Sequence, residues 1–166
     1  GGYGQGLVGG ADKALGGVSA DQARYGYEIN VASWKELPVD KLDKGVSGID
    51  SRWAGPGGRK AFCLSRPAVD ADQSPEQLIQ SLSRVEPALT DAFKTGKPTY
   101  SKSVVNGVEF VDFEVTGAYS YLIRAGVQSD RLFAFFVSAP QSALADEADA
   151  QVLRHTLGSF ELYNRA

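Results

Sequence analysis

Apolar and polar residues alternate in YGYEINV at 25–31, and a period of two is typical of a strand with one buried face. SGIDSRWAG at 47–55, which contains Ile49 and Trp53 and runs to a glycine-rich turn, predicts a second strand, and KAFCLSRP at 60–67, ended by Pro67, predicts a third. Residues 35–45, between the first two, follow no such period and contain Pro38, so we expect a surface loop there. The pattern therefore predicts three short strands joined by loops and turns.

The clearest helix signal in the chain begins at Ser74. Ser74 is suited to cap the helix, Pro75 is favoured at the first helical position, and Gln77 completes a capping box. Apolar residues then recur at spacings of three and four as far as Phe93, which predicts an amphipathic helix. Pro87 falls inside this apolar stripe, so we expect it to kink the helix or to begin a second one.

Two hairpins are predicted after this helical region. The stronger signal is Asn106-Gly107, because this dipeptide readily adopts the left-handed turn that joins twisted strands. The strand that follows, 108–116, has apolar side chains at both odd and even positions, as expected of a strand covered on both sides. The second hairpin is predicted across Ser129-Asp130, between YSYLIRAGVQ and RLFAFFVSAP.

A final helix is predicted within LADEADAQVLRHTLG at 144–158, followed by a short strand. Asp146, Glu147 and Asp149 fall in its first turns, where negative charge complements the helix dipole. Strands in succession joined by tight turns, with helices packed against them, predict an α+β fold. Because one strand is apolar on both sides, we expect a central antiparallel β-sheet flanked by helices on both faces.

The composition is that of a soluble globular domain. The 166 residues are 43% hydrophobic and 22% charged, and no apolar run approaches the roughly 20 residues needed to cross a bilayer. Residues 1–24 are rich in glycine and poor in large apolar groups, so we expect a flexible N-terminal arm before one folded domain, 25–166. The arm sequence GYGQGLVGG follows no strand and is therefore not a dinucleotide-binding fingerprint.

The charge distribution points to a protein partner more than to nucleic acid. The formal net charge is −3, and no clustered basic footprint stands out. Lys35, Lys41 and Lys44 lie in one short stretch, and we expect them to steer the domain toward an acidic partner, with plain solvation as the alternative. Tyr3 and Lys13 are candidate contacts in the arm, since a flexible segment can fold on binding.

Few residues are suited to catalysis. The one cysteine, Cys63, lies between apolar residues of a predicted strand and is expected in the core. The one histidine, His155, lies near the end of the last helix, where a capping or packed role is favoured. Asp112 and Glu114 share a strand face, with Arg124 as a candidate cross-strand partner. We expect no enzyme and no tightly bound cofactor or metal; an enzyme using Asp112, Glu114 or His155 is the alternative.

Five segments, taken in order, resemble motifs of the PsbP-domain proteins of oxygenic photosynthesis. They are YGYEINVASW, SPEQLIQSL, VNGVEFVDFEVTG, DRLFAFFVSAP and LRHTLGSFEL. The first resembles the family's opening strand, which ends in a tryptophan, here Trp34, and the last resembles its closing helix with Ser159-Phe160. The resemblance covers residues 25–163. Ala32-Ser33 stand where the family commonly has a proline, and the arm matches no part of the family.

The resemblance implies a PsbP-like fold and a non-enzymatic extrinsic subunit in the chloroplast thylakoid lumen, peripheral to the membrane. A leader removed on import would agree with a sequence that contains no methionine. The implied partners are photosystem core subunits and other extrinsic lumenal proteins. Photosystem II is favoured, where such a subunit helps to retain calcium and chloride at the manganese cluster, which implies an association with calcium.

Two alternatives to photosystem II remain open from the sequence. One is a PsbP-like subunit or assembly factor of photosystem I. The other is a binding module of the same fold, such as a Ran-binding release factor or a bacterial lipoprotein domain.

Overall fold

The computed structural model describes residues 2–6, 12–16 and 23–163. The strands are β1 Gly2–Gly6, β2 Asp12–Gly16, β3 Tyr25–Ile29, β4 Lys35–Leu37, β5 Ile49–Ala54, β6 Lys60–Pro67, β7 Thr99–Val105, β8 Val108–Val115, β9 Tyr119–Gln128, β10 Arg131–Pro140 and β11 Glu161–Leu162. The α-helices are α1 Pro75–Leu82, α2 Pro87–Thr95, α3 Gln141–Ala145 and α4 Glu147–Gly158. None of the helices within these ranges is long and apolar enough to cross a membrane.

Two antiparallel sheets form the described part of the chain. The larger has seven strands in the order β4-β5-β6-β10-β9-β8-β7, and the smaller has four in the order β1-β2-β3-β11. Both predicted hairpins are confirmed. Asn106 and Gly107 have φ of 54° and 77°, and Ser129 and Asp130 have φ of 52° and 61°. These left-handed pairs match the right-handed twist of the strands that they join.

Helices cover both faces of the large sheet, so the predicted α+β fold is confirmed. On one face, here called the α2 face, α1 and α2 pack on a core that includes Phe62 and Phe136, whose ring centroids lie 4.2 Å apart. On the other, the α4 face, α4 and the small sheet pack on a core that includes Phe133, Phe135 and Phe160. The large sheet therefore separates two hydrophobic cores.

The strand predicted to be covered on both sides is β8. Phe110 belongs to the core of the α4 face and Phe113 to that of the α2 face, and both are buried. Cys63 is also fully buried, on the α4 face, as predicted for a core residue. Burial raises the pKa of its thiol well above the ordinary value.

The helical region is confirmed except for one cap. Pro87 begins α2, with Glu86 at its N-cap, so the proline starts a second helix instead of interrupting the first. Ser74 does occupy the N-cap of α1, but the predicted capping box with Gln77 is wrong. The Ser74 oxygen accepts no hydrogen bond from the helix backbone, and its hydroxyl donates to the Glu76 carboxylate at 3.2 Å.

Three further predictions need correction. The expected loop at 35–45 contains the edge strand β4, which pairs with β5 and is followed by Pro38. Val31 lies beyond the end of β3 and is exposed. The last helix is two helices, because Asp146 leaves the helical conformation and caps α4, its carboxylate accepting from the Asp149 amide at 3.0 Å.

The N-terminal region is described only in part. β1 pairs with β2, and β2 pairs with β3 across the expected boundary at residue 25. Residues 7–11 and 17–22 of the expected arm lie outside the described residues. The flexibility of the arm and its division from the domain 25–166 remain predictions.

Candidate functional site

The three lysines predicted to face a partner lie in one stretch of chain, 35–44, which begins with the edge strand of the large sheet. Lys35 lies on the edge strand β4, Lys41 follows it, and Lys44 lies in a π-helical turn at Asp43–Ser47. All three are exposed. We refer to Lys35, Lys41 and Lys44 as the lysine surface.

Two large aliphatic side chains are exposed beside the lysine surface. Leu42 is 70% exposed and Val46 is 76% exposed, and they flank Lys44 along the chain. Exposed apolar side chains next to mobile charges are typical of surfaces that bind proteins, since the charges orient the encounter and the apolar groups are then buried.

Local hydrogen bonds hold the π-helical turn against the sheet. The Asp40 carboxylate accepts from the Asp43 amide at 2.7 Å, and Gly48 closes the turn with a left-handed φ of 73°. The Asp43 carboxylate in turn pairs with Arg52 on β5 at 3.3 Å. Arg52 therefore balances the negative charge of Asp43 on the side that faces the sheet, and the three lysine side chains are exposed to solvent.

Of the two arm candidates, the structure describes the side chain of Lys13. Lys13 lies on β2 of the small sheet, where its Nζ is 3.0 Å from the Glu161 carboxylate on β11 and 5.6 Å from the centre of the Tyr163 ring. The hydrogen bond to Glu161 is the main cause of a raised pKa for Lys13. The side chain of Tyr3 lies outside the described residues. Partner contacts for both residues remain predictions.

The candidate catalytic carboxylates are held in separate ion pairs. Asp112 accepts two hydrogen bonds from Arg124, at 2.8 and 2.9 Å, so the predicted cross-strand pair is confirmed. Glu114 pairs instead with Arg154 on α4 at 3.2 Å. His155, for which a capping or packed role is expected, lies in the last turn of α4; its side chain is 76% exposed and not packed, with Nε2 3.1 Å from the Glu28 carboxylate.

A polar cluster between the two sheets was missed from the sequence. The Tyr25 hydroxyl donates to Asp50 at 2.9 Å, and the Trp53 indole donates to the Tyr27 hydroxyl at 2.9 Å. The Tyr27 hydroxyl also lies 2.9 Å from that of Ser51. These contacts connect β3 of the small sheet to β5 of the large sheet.

A β-bulge in β5 creates this cluster. The pairing of β5 with β6 shifts between Ile49 and Ser51, so Asp50 is the extra residue. Asp50 and Ser51 thus both face the tyrosines of β3, and Ile49 and Trp53 end in opposite cores. Regular alternation would have put Ile49 and Trp53 on one face, and their shared apolar character conceals the bulge in the sequence.

An open groove of about 730 Å³ lies between the β3–β4 connection and α4. Its walls include Trp34 and the exposed Val152, with His155 and Glu28 at its rim. Trp34 can pack there because Gly55 lacks a side chain: a Cβ at that position would lie 2.7 Å from the indole ring. The tryptophan of the PsbP-like motif therefore has a packing role in the wall of this groove.

No family model matches the sequence, and no curated protein matches it. The fold is similar to that of cyanobacterial PsbP (CyanoP) from Synechocystis sp. PCC 6803, with a TM-score of 0.60, 16% identity, and coverage of 96% of this chain and 97% of that chain. The protein of unknown function PA94 from Pseudomonas aeruginosa, described as a putative regulator, gives a TM-score of 0.37 at 14% identity, covering 93% of this chain and 98% of that one. The first likeness shows a PsbP-like fold.

Proposed function

We propose that this protein is a non-enzymatic extrinsic subunit that binds the lumenal side of a photosystem, with photosystem II as the favoured partner. The observation that most supports this proposal is the likeness in fold to cyanobacterial PsbP over nearly the full length of both chains. The ordered PsbP-like motifs from 25 to 163 agree with it. The corresponding location is the chloroplast thylakoid lumen, at the membrane periphery.

The lysine surface supports docking onto an acidic protein face. Its three ammonium groups are exposed, and the neighbouring Leu42 and Val46 offer apolar area that a partner would remove from water. Lysines at an interface rim increase the association rate and impose a strong dependence on salt. Docking through this surface should therefore be tight at low ionic strength and reversible at high ionic strength.

The proposed role needs no reaction chemistry in this chain. Asp112, Glu114 and His155 each engage a different partner, which suits an architectural role better than a shared acid–base site. Calcium takes six to eight oxygen ligands. In the part of the chain that the structure describes, no three His, Cys, Asp or Glu side chains come together as metal ligands. We propose that any effect on calcium retention arises from docking.

Co-sedimentation with salt-washed photosystem II membranes tests the proposal. The wild-type protein should sediment with the membranes at low salt and be released at high salt. Lys41→Glu combined with Lys44→Glu should weaken binding about tenfold, as expected when two rim charge pairs are replaced by repulsions. The matched control combines Lys94→Glu with Lys97→Glu, two exposed lysines at the same spacing, and should bind like the wild type.

The result that would overturn the proposal is a failure of the wild-type protein to sediment with the membranes at low salt. Sedimentation with photosystem I particles in place of photosystem II would retain the extrinsic role and assign it to the other photosystem. Equal losses in the two double variants would mean that total charge, and not the lysine surface, governs binding.

A further inference from the structure

The strand at the far end of the large sheet from the lysine surface has an open edge. β7 forms an unbroken ladder with β8, from Thr99 opposite Glu114 to Val105 opposite Val108. On its other side, β7 pairs with no strand among residues 2–6, 12–16 and 23–163. One whole edge of a seven-residue strand is therefore free within these ranges.

The hairpin geometry identifies the backbone groups on that edge. A two-residue turn puts its flanking residues, Val105 and Val108, in a hydrogen-bonded pair, and such pairs alternate along an antiparallel ladder. Residues 99, 101, 103 and 105 therefore bond to β8. Tyr100, Lys102 and Val104 direct their N–H and C=O groups outward.

The two ends of the sheet differ in how they are protected. Natural edge strands are usually short, bulged, interrupted by proline or lined with charges, because an open edge readily accepts another strand. β4 is three residues long and is followed by Pro38. β7 has no bulge and no internal proline, and Lys102 is its one charged residue.

The side chains on β7 alternate apolar, cationic and apolar along one face. Tyr100 is 48% exposed and Val104 is 68% exposed, with Lys102 between them. The Tyr100 hydroxyl donates to Glu76 at 3.1 Å, which anchors the ring over α1. Lys102 is held loosely, with Nζ 3.9 Å from Glu109 and both side chains more than half exposed.

We propose that the outer edge of β7 binds an extended acidic segment of another protein, which adds to the sheet as an eighth strand. In the added strand, a carboxylate opposite Lys102 would pair with its charge, and apolar side chains two residues to either side would pack beside Tyr100 and Val104.

A second copy of this chain fits the edge less well than an acidic segment does. Antiparallel pairing of two β7 strands about Lys102 would put two lysines directly opposite each other, which is destabilising. This site lies at the opposite end of the sheet from the lysine surface, so it does not depend on the docking role proposed above.

Amide hydrogen exchange measured by NMR tests the site. The probe is a synthetic seven-residue peptide with threonine at every odd position and valine, glutamate and valine, in that order, at the even positions. In the free protein the amides of Tyr100, Lys102 and Val104 should exchange much faster than those of Ser101 and Ser103. Saturation with the peptide should slow exchange at the three outward amides at least about tenfold, as for newly formed ladder hydrogen bonds. Unchanged exchange at millimolar peptide would overturn the proposal.

Two substitutions of Lys102 distinguish the contribution of its charge to peptide binding from that of its backbone hydrogen bonds. Lys102→Glu should abolish binding of the glutamate peptide and bind the same peptide with lysine in place of glutamate, whereas Lys94→Glu, at an exposed lysine on α2, should change nothing. Lys102→Pro removes one outward donor without removing a bond to β8, and should weaken binding about tenfold. Binding unaffected by both Lys102 variants would overturn the proposal. Protection of these amides without peptide, in a concentration-dependent dimer, would also overturn it in favour of self-association.

Discussion

Arg124 shows how one buried cation organises its surroundings. It is 8% exposed, and its guanidinium donates to both carboxylate oxygens of Asp112. The same group donates to the carbonyls of Gly158 at 3.1 Å and Phe160 at 3.2 Å, where α4 ends. The planar arginine fork suits this set of acceptors, which a lysine would not satisfy. A strand-to-strand ion pair therefore also fixes the end of a helix.

Arg124→Met should lower the free energy of unfolding by about 3 kcal/mol, because it leaves a partly buried carboxylate and two carbonyls without their donor. Urea denaturation followed by circular dichroism measures this loss. Arg154→Met is the control: its pair with Glu114 is exposed, so its loss should stay below about 1 kcal/mol. Similar losses in the free energy of unfolding for the two variants would show that burial does not make the Arg124 pair more important to stability than the exposed Arg154 pair.

At the scale of single elements, the turns and the first residues of helices could be predicted from the sequence. Asn106-Gly107 demands a left-handed turn, and Pro87 is compatible with a first helical turn but not with a helix interior. These signals act over a few residues and need no knowledge of the rest of the fold. The Ser74 capping box was wrong because the spacing of residues in the sequence does not determine the orientation of the Ser74 side chain, whose hydroxyl donates to Glu76.

Gly107→Ala tests whether the first hairpin depends on a left-handed backbone. A Cβ added to Gly107 would contact nothing within 4 Å, so the cost comes from its φ of 77° alone. We expect a loss of about 1 kcal/mol in the free energy of unfolding, measured by urea denaturation. Gly45→Ala is the control, since Gly45 is equally open and has no left-handed φ. The control should be neutral or stabilising, and an equal loss in both variants would contradict the explanation.

At the scale of the whole molecule, local signals no longer suffice. The short strand β11 pairs with β3, which is more than 130 residues earlier in the sequence. The bulge at Asp50 directs this side chain toward β3, and that contact exists only when β3 packs against β5. The lysine surface could be predicted because its members are neighbours in sequence. The open edge of β7 was not, because an edge is defined by the final order of strands and not by any residue in it.

Asp50 links the two sheets through Tyr25 and should make stability depend on pH. Burial raises the pKa of Asp50 above its ordinary value of 3.8, an effect that the Tyr25 hydrogen bond and the nearby charges of Lys44 and Arg131 oppose. The folded protein therefore binds this proton more tightly than the unfolded chain does. The resulting stabilisation is complete below the unfolded pKa and is lost as the pH rises through the folded pKa.

Asp50→Asn should remove this loss, because the amide oxygen can still accept the hydrogen bond from Tyr25 but the group does not titrate. Urea denaturation of both proteins at intervals from about pH 4 to about pH 8 measures the effect as a free energy of unfolding. The difference between variant and wild type should shift in favour of the variant as the pH rises, and then level off. Ser51→Ala removes the neighbouring contact with Tyr27 without changing charge, so it should keep the wild-type slope. A constant difference between Asp50→Asn and wild type would mean that Asp50 titrates alike in the folded and unfolded chains.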